Sequence, residues 1–67
     1  MTRAEAIIEQ VTMIRVINLC TEERSANLVA LAAGRIDLDT AAERDDAIEA
    51  IIDRCEANIL ALQGAAA

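Results

Sequence analysis

The chain has 67 residues, carries a net charge of −6 from twelve acidic and six basic residues, and contains no Phe, Tyr, Trp or Pro. A chain of this length forms one domain at most and buries only about 60% of the surface that its unfolded form exposes, so its stability is expected to depend on a disulfide, a metal or a partner subunit. The acidic balance disfavours direct binding of nucleic acid, because contacts with phosphates need a basic face.

The composition favours long helices. Apolar residues make up 55% of the chain without any aromatic side chain, so many of them are Ala, and Gly occurs only twice. The chain has no run of 18 apolar residues and no signal-peptide pattern at its start, so we expect no membrane association and a cytoplasmic location. All six basic residues are Arg, which is typical of high-GC codon usage and favours a bacterial or phage origin.

The first helix is predicted over about 3–33. Thr2 and Glu5 have the spacing of a capping box at its start, and Gly34 can adopt the left-handed conformation that ends a helix. Apolar residues surround most of the circumference, which is typical of a helix that is buried on more than one side. Residues 21–25 are polar on every face, so a break there, giving three helices, is the alternative to a continuous helix.

A loop is predicted over 34–39, followed by a second helix over about 41–63. Thr40 and Glu43 fit a second capping box, and Gly64 is expected to end the helix before a short disordered Ala-rich tail over 64–67. The helix carries a single apolar stripe, as expected for one buried face. The residues of that stripe are Ile48, Ile51, Ile52, Cys55, Ile59 and Leu62.

These elements predict a single all-α domain over 1–67, an antiparallel helical hairpin. A first helix of about 31 residues spans roughly 46 Å and a second of about 23 residues roughly 34 Å, so the N-terminal part of the first helix would overhang its partner. We therefore expect the hairpin to assemble as a four-helix-bundle homodimer, or to bind another protein there. The residues assigned to this contact are Ile7, Ile8, Val11, Ile14 and Ile17.

The length and plan of this hairpin resemble those of the Rop family of plasmid copy-number regulators, in which paired hairpins form an antiparallel four-helix bundle. The resemblance is architectural and implies a bundle dimer. It does not extend to RNA binding, which the acidic net charge disfavours.

Cys20 and Cys55 are nearly equidistant from the predicted loop, so the hairpin is expected to place them side by side as a core pair or a disulfide. The favoured interpretation is two reduced thiols acting as small hydrophobic side chains in a tight core. A disulfide would add about 2 to 4 kcal/mol. A zinc site shared across a dimer is a further alternative, but the chain has no His and no C-x-x-C spacing to support it.

An acidic stripe follows the second helix on the side opposite its apolar face. It is interpreted as a solvated face, and the alternatives are a partner-binding or nucleic-acid-mimicking surface and, together with Asp45, a divalent cation site. The residues of the stripe are Asp46, Glu49, Asp53 and Glu56. We recognise no general acid, nucleophile, cofactor or metal motif, so no enzyme activity, no cofactor and no small-molecule substrate are expected.

Three functions are compatible with these patterns. The leading hypothesis is a non-enzymatic regulatory or accessory protein that pairs with itself and binds another protein. The second is an acidic inhibitor that mimics nucleic acid and blocks a nucleic-acid-binding protein, as antitoxin or anti-restriction factors do. The third is a structural subunit of a larger bacterial or phage assembly.

Overall fold

The computed structural model describes residues 1–66, with side chains through Gly64. It is an all-helical hairpin of two elements, α1 (Arg3–Ala32) and α2 (Leu38–Ala66), which pack against each other. The helices are antiparallel, because contacts that ascend along α1 descend along α2: Met13 meets Asn58, and Asn27 meets Ala41. The described part of the chain measures 48 × 14 × 11 Å. The predicted hairpin is thus confirmed, and α1 continues through residues 21–25 without a break.

The start of α1 is the predicted capping box. The Glu5 backbone N–H donates to Thr2 Oγ1 at 3.1 Å, and the Thr2 backbone N–H donates to Glu5 Oε1 at 3.2 Å. The Thr2 side chain and backbone together lower the pKa of Glu5, since hydrogen bonds to a carboxylate favour its charged form. Two otherwise unpaired N–H groups of the first turn are satisfied in this way.

The end of α1 is a Schellman motif centred on Gly34. Gly34 has φ +72° and donates to the Leu31 carbonyl at 3.0 Å, while Arg35 donates to the Ala30 carbonyl at 2.9 Å. These are the two hydrogen bonds that define the motif, and the left-handed residue at its centre is usually Gly because it has no Cβ. The chain thereby reverses within a few residues.

The second helix begins earlier than the sequence predicts. Asp37 is the N-cap: its Oδ1 accepts from the Thr40 backbone N–H at 2.7 Å, and its carbonyl accepts from Ala41 at 3.0 Å. Thr40 is therefore inside the first turn, and the capping box predicted at Thr40 and Glu43 is wrong as a helix start. The predicted loop over 34–39 shortens accordingly, because Leu38 and Asp39 are already helical.

The second helix also ends later than predicted. It runs through Gly64 to Ala66, so the expected disordered tail is helical over the described residues, and Ala67 lies outside them. Ala is the best helix former and offsets one unfavourable Gly. With 30 residues in α1 and 29 in α2, the helices have nearly equal length. The predicted overhang of the first helix is therefore wrong.

The buried positions follow a seven-residue repeat on both helices, the periodicity of a left-handed coiled coil. The described buried side chains are Ala6, Cys20 and Asn27 on α1 and Ala41, Ile48 and Cys55 on α2. The Asn27 amide donates to the Ala41 carbonyl at 2.8 Å. These two residues therefore lie at the same height along the hairpin axis, hereafter the same level. Steps of seven residues then place Cys20 level with Ile48, and Met13 level with Cys55.

Candidate interaction surfaces

The hairpin exposes more surface than a compact protein of its size. Its accessible area is 4791 Å² for a mass of 7.2 kDa, whereas a folded monomer of that mass exposes about 4,100 Å². Its radius of gyration is 15.2 Å, compared with about 11 Å for a compact domain of the same length. Eleven large hydrophobic side chains among the described residues are 42% to 70% exposed. A single hairpin therefore leaves much of its apolar surface in water.

The seven-residue repeat divides the remaining surface into two flanks. The helices are antiparallel, so a residue that follows a buried position by a given number of residues lies on the same side of the hairpin in α1 and in α2. Residues three positions after a buried one, such as Ile51 after Ile48, lie on one flank. Residues one position after, such as Glu49, lie on the other. The two flanks differ in shape and charge.

The first flank contains a groove of 430 Å³ between the helices, hereafter the groove. Its lining is Glu23, Ala26, Asn27, Arg44, Ala47, Ile48 and Ile51. Alanines leave room on both walls, and the two isoleucines give an apolar floor. One acidic residue stands on the α1 wall and one basic residue on the α2 wall, so the groove is close to neutral.

Asn27 opens onto this groove and is only 6% exposed. Its Nδ2 bonds to the Ala41 carbonyl, but its Oδ1 is buried without a hydrogen-bond partner in the described structure. A buried carbonyl oxygen without a donor costs about 1 to 3 kcal/mol. We did not select Asn27 from the sequence, although it occupies the repeat position shared with Ala6, Met13 and Cys20, where a polar residue is conspicuous.

The second flank, hereafter the acidic flank, has one apolar wall and one acidic wall. The α1 wall presents Ile7, Ile14 and Leu28, all exposed, with Ile17 half-buried beside them. The α2 wall presents the exposed carboxylates Glu49 and Glu56. A shallow depression of 290 Å³ adjoins it, lined by Glu56, Ile59, Leu60 and Gln63.

The five residues assigned to an interface from the sequence lie at different angles round α1. Ile7, Ile14 and Ile17 are on the acidic flank, Val11 adjoins Ile7 and Ile14 at i+4 and i−3 spacing, and Ile8 lies furthest from α2. Ile8 is 65% exposed and Val11 42% exposed. Since α2 extends alongside this part of α1, these side chains are exposed because they lie on the side of α1 away from α2, and not because α1 overhangs α2.

The acidic residues predicted on α2 are all exposed, and they form a continuous stripe from Asp46 to Glu56. Asp45 lies beside them, and with Asp46 and Glu49 it forms a cluster that is compact enough to hold a cation. However, Arg24 donates twice to Asp45, at 2.6 and 3.1 Å, and lies 3.7 Å from Glu49. This arginine already compensates the cluster, so we interpret it as a structural contact.

The two cysteines are buried free thiols. The register that the Asn27–Ala41 contact defines separates them by one seven-residue layer, about 10 Å along the hairpin. The structure therefore does not bring them side by side, and a disulfide needs Cα atoms within about 7 Å.

Comparison with known proteins gives no match to any family profile, curated protein or solved structure. Over the described residues, neither helix contains a stretch long and apolar enough to cross a lipid bilayer.

Proposed function

We propose that this chain is a non-enzymatic interaction module that forms a homodimeric helical bundle and binds another protein. The observation that supports the proposal is the surface excess: the hairpin exposes about 700 Å² more than a compact protein of its mass. Eleven large hydrophobic side chains among the described residues are 42% to 70% exposed. Small helical proteins cover such surface by pairing.

The acidic flank is the surface we assign to the other protein. Pairing of this flank with a second copy would bring carboxylates towards one another or onto isoleucines, and both arrangements are unfavourable. An amphipathic helix with an apolar face and a basic edge fits it better, because its apolar residues would pack on Ile7 and Ile14 while its cations meet Glu49 and Glu56. The partner class is therefore a basic amphipathic helix.

The acidic stripe supports a second candidate function, that of an inhibitor that mimics nucleic acid. Four exposed carboxylates follow one another along α2 from Asp46 to Glu56, and a mimic would need this charge but not the isoleucines of α1. The two candidates therefore differ in whether partner binding depends on Ile7 and Ile14.

Sedimentation equilibrium tests the self-association, with an expected mass of twice 7.2 kDa. A monomer at micromolar concentration would contradict the proposal, and an open-ended series of larger species would instead indicate a structural subunit.

Binding of a synthetic Leu/Lys amphipathic helix, measured by titration calorimetry, tests the acidic flank. The matched control is a peptide of the same composition whose Leu and Lys residues are rearranged so that a helix has no apolar face. We expect the variant Ile7→Asp, Ile14→Asp to remain dimeric and lose binding to the ordered peptide. Binding that survives this variant but is lost with Glu49→Lys, Glu56→Lys would favour the mimic.

A further inference from the structure

The groove is chemically self-complementary. It carries Glu23 on its α1 wall and Arg44 on its α2 wall, and neither forms an ion pair within the described residues. In a twofold dimer each surface meets its own copy. If each α1 packs on the partner's α2, the acidic wall of each copy faces the basic wall of the other, and two Glu23–Arg44 ion pairs form.

The levels of the side chains determine which dimer allows this. The register puts Glu23 level with Arg44, and Val16 level with Ile51, one layer further from the loop. When the two loops lie at the same end, α1 packs on the partner's α2. One layer of the dimer then contains Glu23 and Arg44 of both copies, and the next contains Val16 and Ile51 of both copies. When the loops lie at opposite ends, α1 packs on the partner's α1, and Glu23 meets Glu9. The charges favour the first arrangement.

The buried oxygen of Asn27 fits the same arrangement. Asn27 is one helical turn from Glu23 on the same wall of the groove, and its Oδ1 lacks a donor within the described residues. That oxygen is enclosed in the single hairpin, so a donor from a second copy reaches it only when the Asn27 side chain turns towards the groove. An arginine has five N–H donors in a planar fork, so a guanidinium placed against Glu23 has donors left for the turned side chain. A single buried Asn in an apolar repeat commonly fixes the orientation and number of helices in a bundle.

The available area agrees with a groove-to-groove dimer. A stable interface buries about 800 Å² on each partner, and the hairpin exposes about 700 Å² beyond the value for a compact protein of its mass. A groove-to-groove interface of standard size would therefore bury an area close to that excess and leave the acidic flank free.

We infer that the groove is the dimer interface and that its occupant is the groove of a second copy with the loop at the same end. The partner's Arg44 then pairs with Glu23 and donates to Asn27 Oδ1 once the Asn27 side chain has turned towards the groove. This inference rests on the proposed homodimer and adds its face and orientation. It distinguishes this chain from bundles in which the loops lie at opposite ends.

Charge exchange tests the face. In sedimentation equilibrium, Arg44→Glu should weaken the dimer at least about tenfold, since it places four acidic groups in one layer. The double variant Glu23→Arg, Arg44→Glu should restore most of the affinity. Arg15→Glu, which makes the same charge change on the outer side of α1, should have little effect. Because loss of the dimer can unfold the hairpin, each variant is also melted at two concentrations, and a Tm that rises with concentration reports association.

The outcomes separate the two levels of the proposal. A wild-type monomer would overturn both the homodimer and its face. A dimer that tolerates Arg44→Glu as well as Arg15→Glu would leave the homodimer standing and overturn the groove as its interface. Failure of the double variant to recover affinity would overturn the Glu23–Arg44 pairing.

Spin labels test the orientation. Arg35 lies in the loop and is exposed, and Arg35→Cys can be labelled under native conditions while the buried native thiols stay unmodified, which mass spectrometry verifies. Pulsed dipolar spectroscopy should give a distance of about 20 Å for loops at the same end, which corresponds to about two interhelical spacings. A distance close to the 48 Å length of the hairpin would overturn the orientation.

Discussion

Arg24 donates from Nε and Nη2 to the two carboxylate oxygens of Asp45, at 2.6 and 3.1 Å, and so joins α1 to the first turns of α2. This contact lies one turn from the hydrogen bond between Asn27 and Ala41. Bidentate arginine–carboxylate pairs have a fixed geometry, so the two contacts together hold the register of the helices next to the loop. The register in turn decides which residues share a level along the whole hairpin.

The Arg24–Asp45 pair predicts a specific pH dependence. The hydrogen bonds from Arg24 lower the pKa of Asp45, so the stabilisation is fully present above the ordinary Asp pKa of about 3.9 and is lost as the pH falls through the lowered value. We expect Asp45→Asn to reduce the urea midpoint at pH 7, and the difference from wild type to shrink below pH 4. Asp46→Asn, which removes the same charge from the next residue, is the control. An equal effect of both variants at every pH would contradict the assignment.

The two glycines are predicted to respond to alanine with opposite signs. At Gly34 the backbone has φ +72°, and the space that a Cβ would occupy is open, so Gly34→Ala should lower the free energy of unfolding by about 1 to 2 kcal/mol through backbone strain alone. At Gly64 the backbone is helical, also with open space, and Gly64→Ala should raise it by at most about 1 kcal/mol.

Denaturant unfolding at one fixed protein concentration measures both glycine variants, and Gly34→Asn is the matched control, because Asn tolerates the left-handed conformation better than Ala. A loss of stability for Gly64→Ala would mean that α2 ends at Gly64, as the sequence predicts.

The start of α2 can be tested with two aspartates of the same turn. Asp37 caps the helix, and the Thr40 side chain and backbone N–H lower its pKa, whereas Asp39 is exposed within the first turn. Asp37→Ala should therefore reduce Tm more than Asp39→Ala, although both remove one negative charge near a helix N-terminus. A larger effect of Thr40→Ala than of Asp37→Ala would restore the capping box at Thr40 and Glu43.

The local signals in the sequence predicted most of the hairpin. The Thr2–Glu5 box and Gly34 each define a helix end through hydrogen bonds within six residues, so no tertiary information is needed. The start of α2 was missed because Asp37 and Thr40 are both good N-caps, and only Thr40 has the acidic residue three positions later that marks a capping box. The structure uses Asp37, which adds another turn of helix.

The contacts between the helices could not be predicted in the same way. The expectation that Cys20 and Cys55 lie side by side places Ala33 level with Ala41. The Asn27–Ala41 contact instead puts Ala30 level with Leu38, so both helices shift by three residues. The roles of Arg24 and Asn27 depend on that register. Asn27 had a usable signal in the seven-residue repeat, whereas Arg24 lies among polar residues on all faces and carries no comparable pattern.

The last prediction concerns the thiols, whose separation follows from the register. Cys20 is level with Ile48, and Cys55 with Met13, so the two sulfur atoms belong to different layers about 10 Å apart. Both thiols are only 7% exposed, so they should react slowly with an aromatic disulfide reagent until the protein unfolds. Mild oxidation of the native protein should give no link within one chain, whereas oxidation in guanidinium should give one.

Tryptic digestion without reduction measures this, since cleavage after Arg15, Arg24 and Arg54 isolates the cysteines in peptides 16–24 and 55–67. The control variant Ile48→Cys, Cys55→Ala places a new thiol at the level of Cys20 and should cross-link in the native state if the register is correct. A native link between the two peptides of the wild-type chain would place Cys20 and Cys55 in the same layer. In that case the contact of Asn27 with Ala41 could not extend as a regular seven-residue repeat, and the groove pairing derived from it would fail as well.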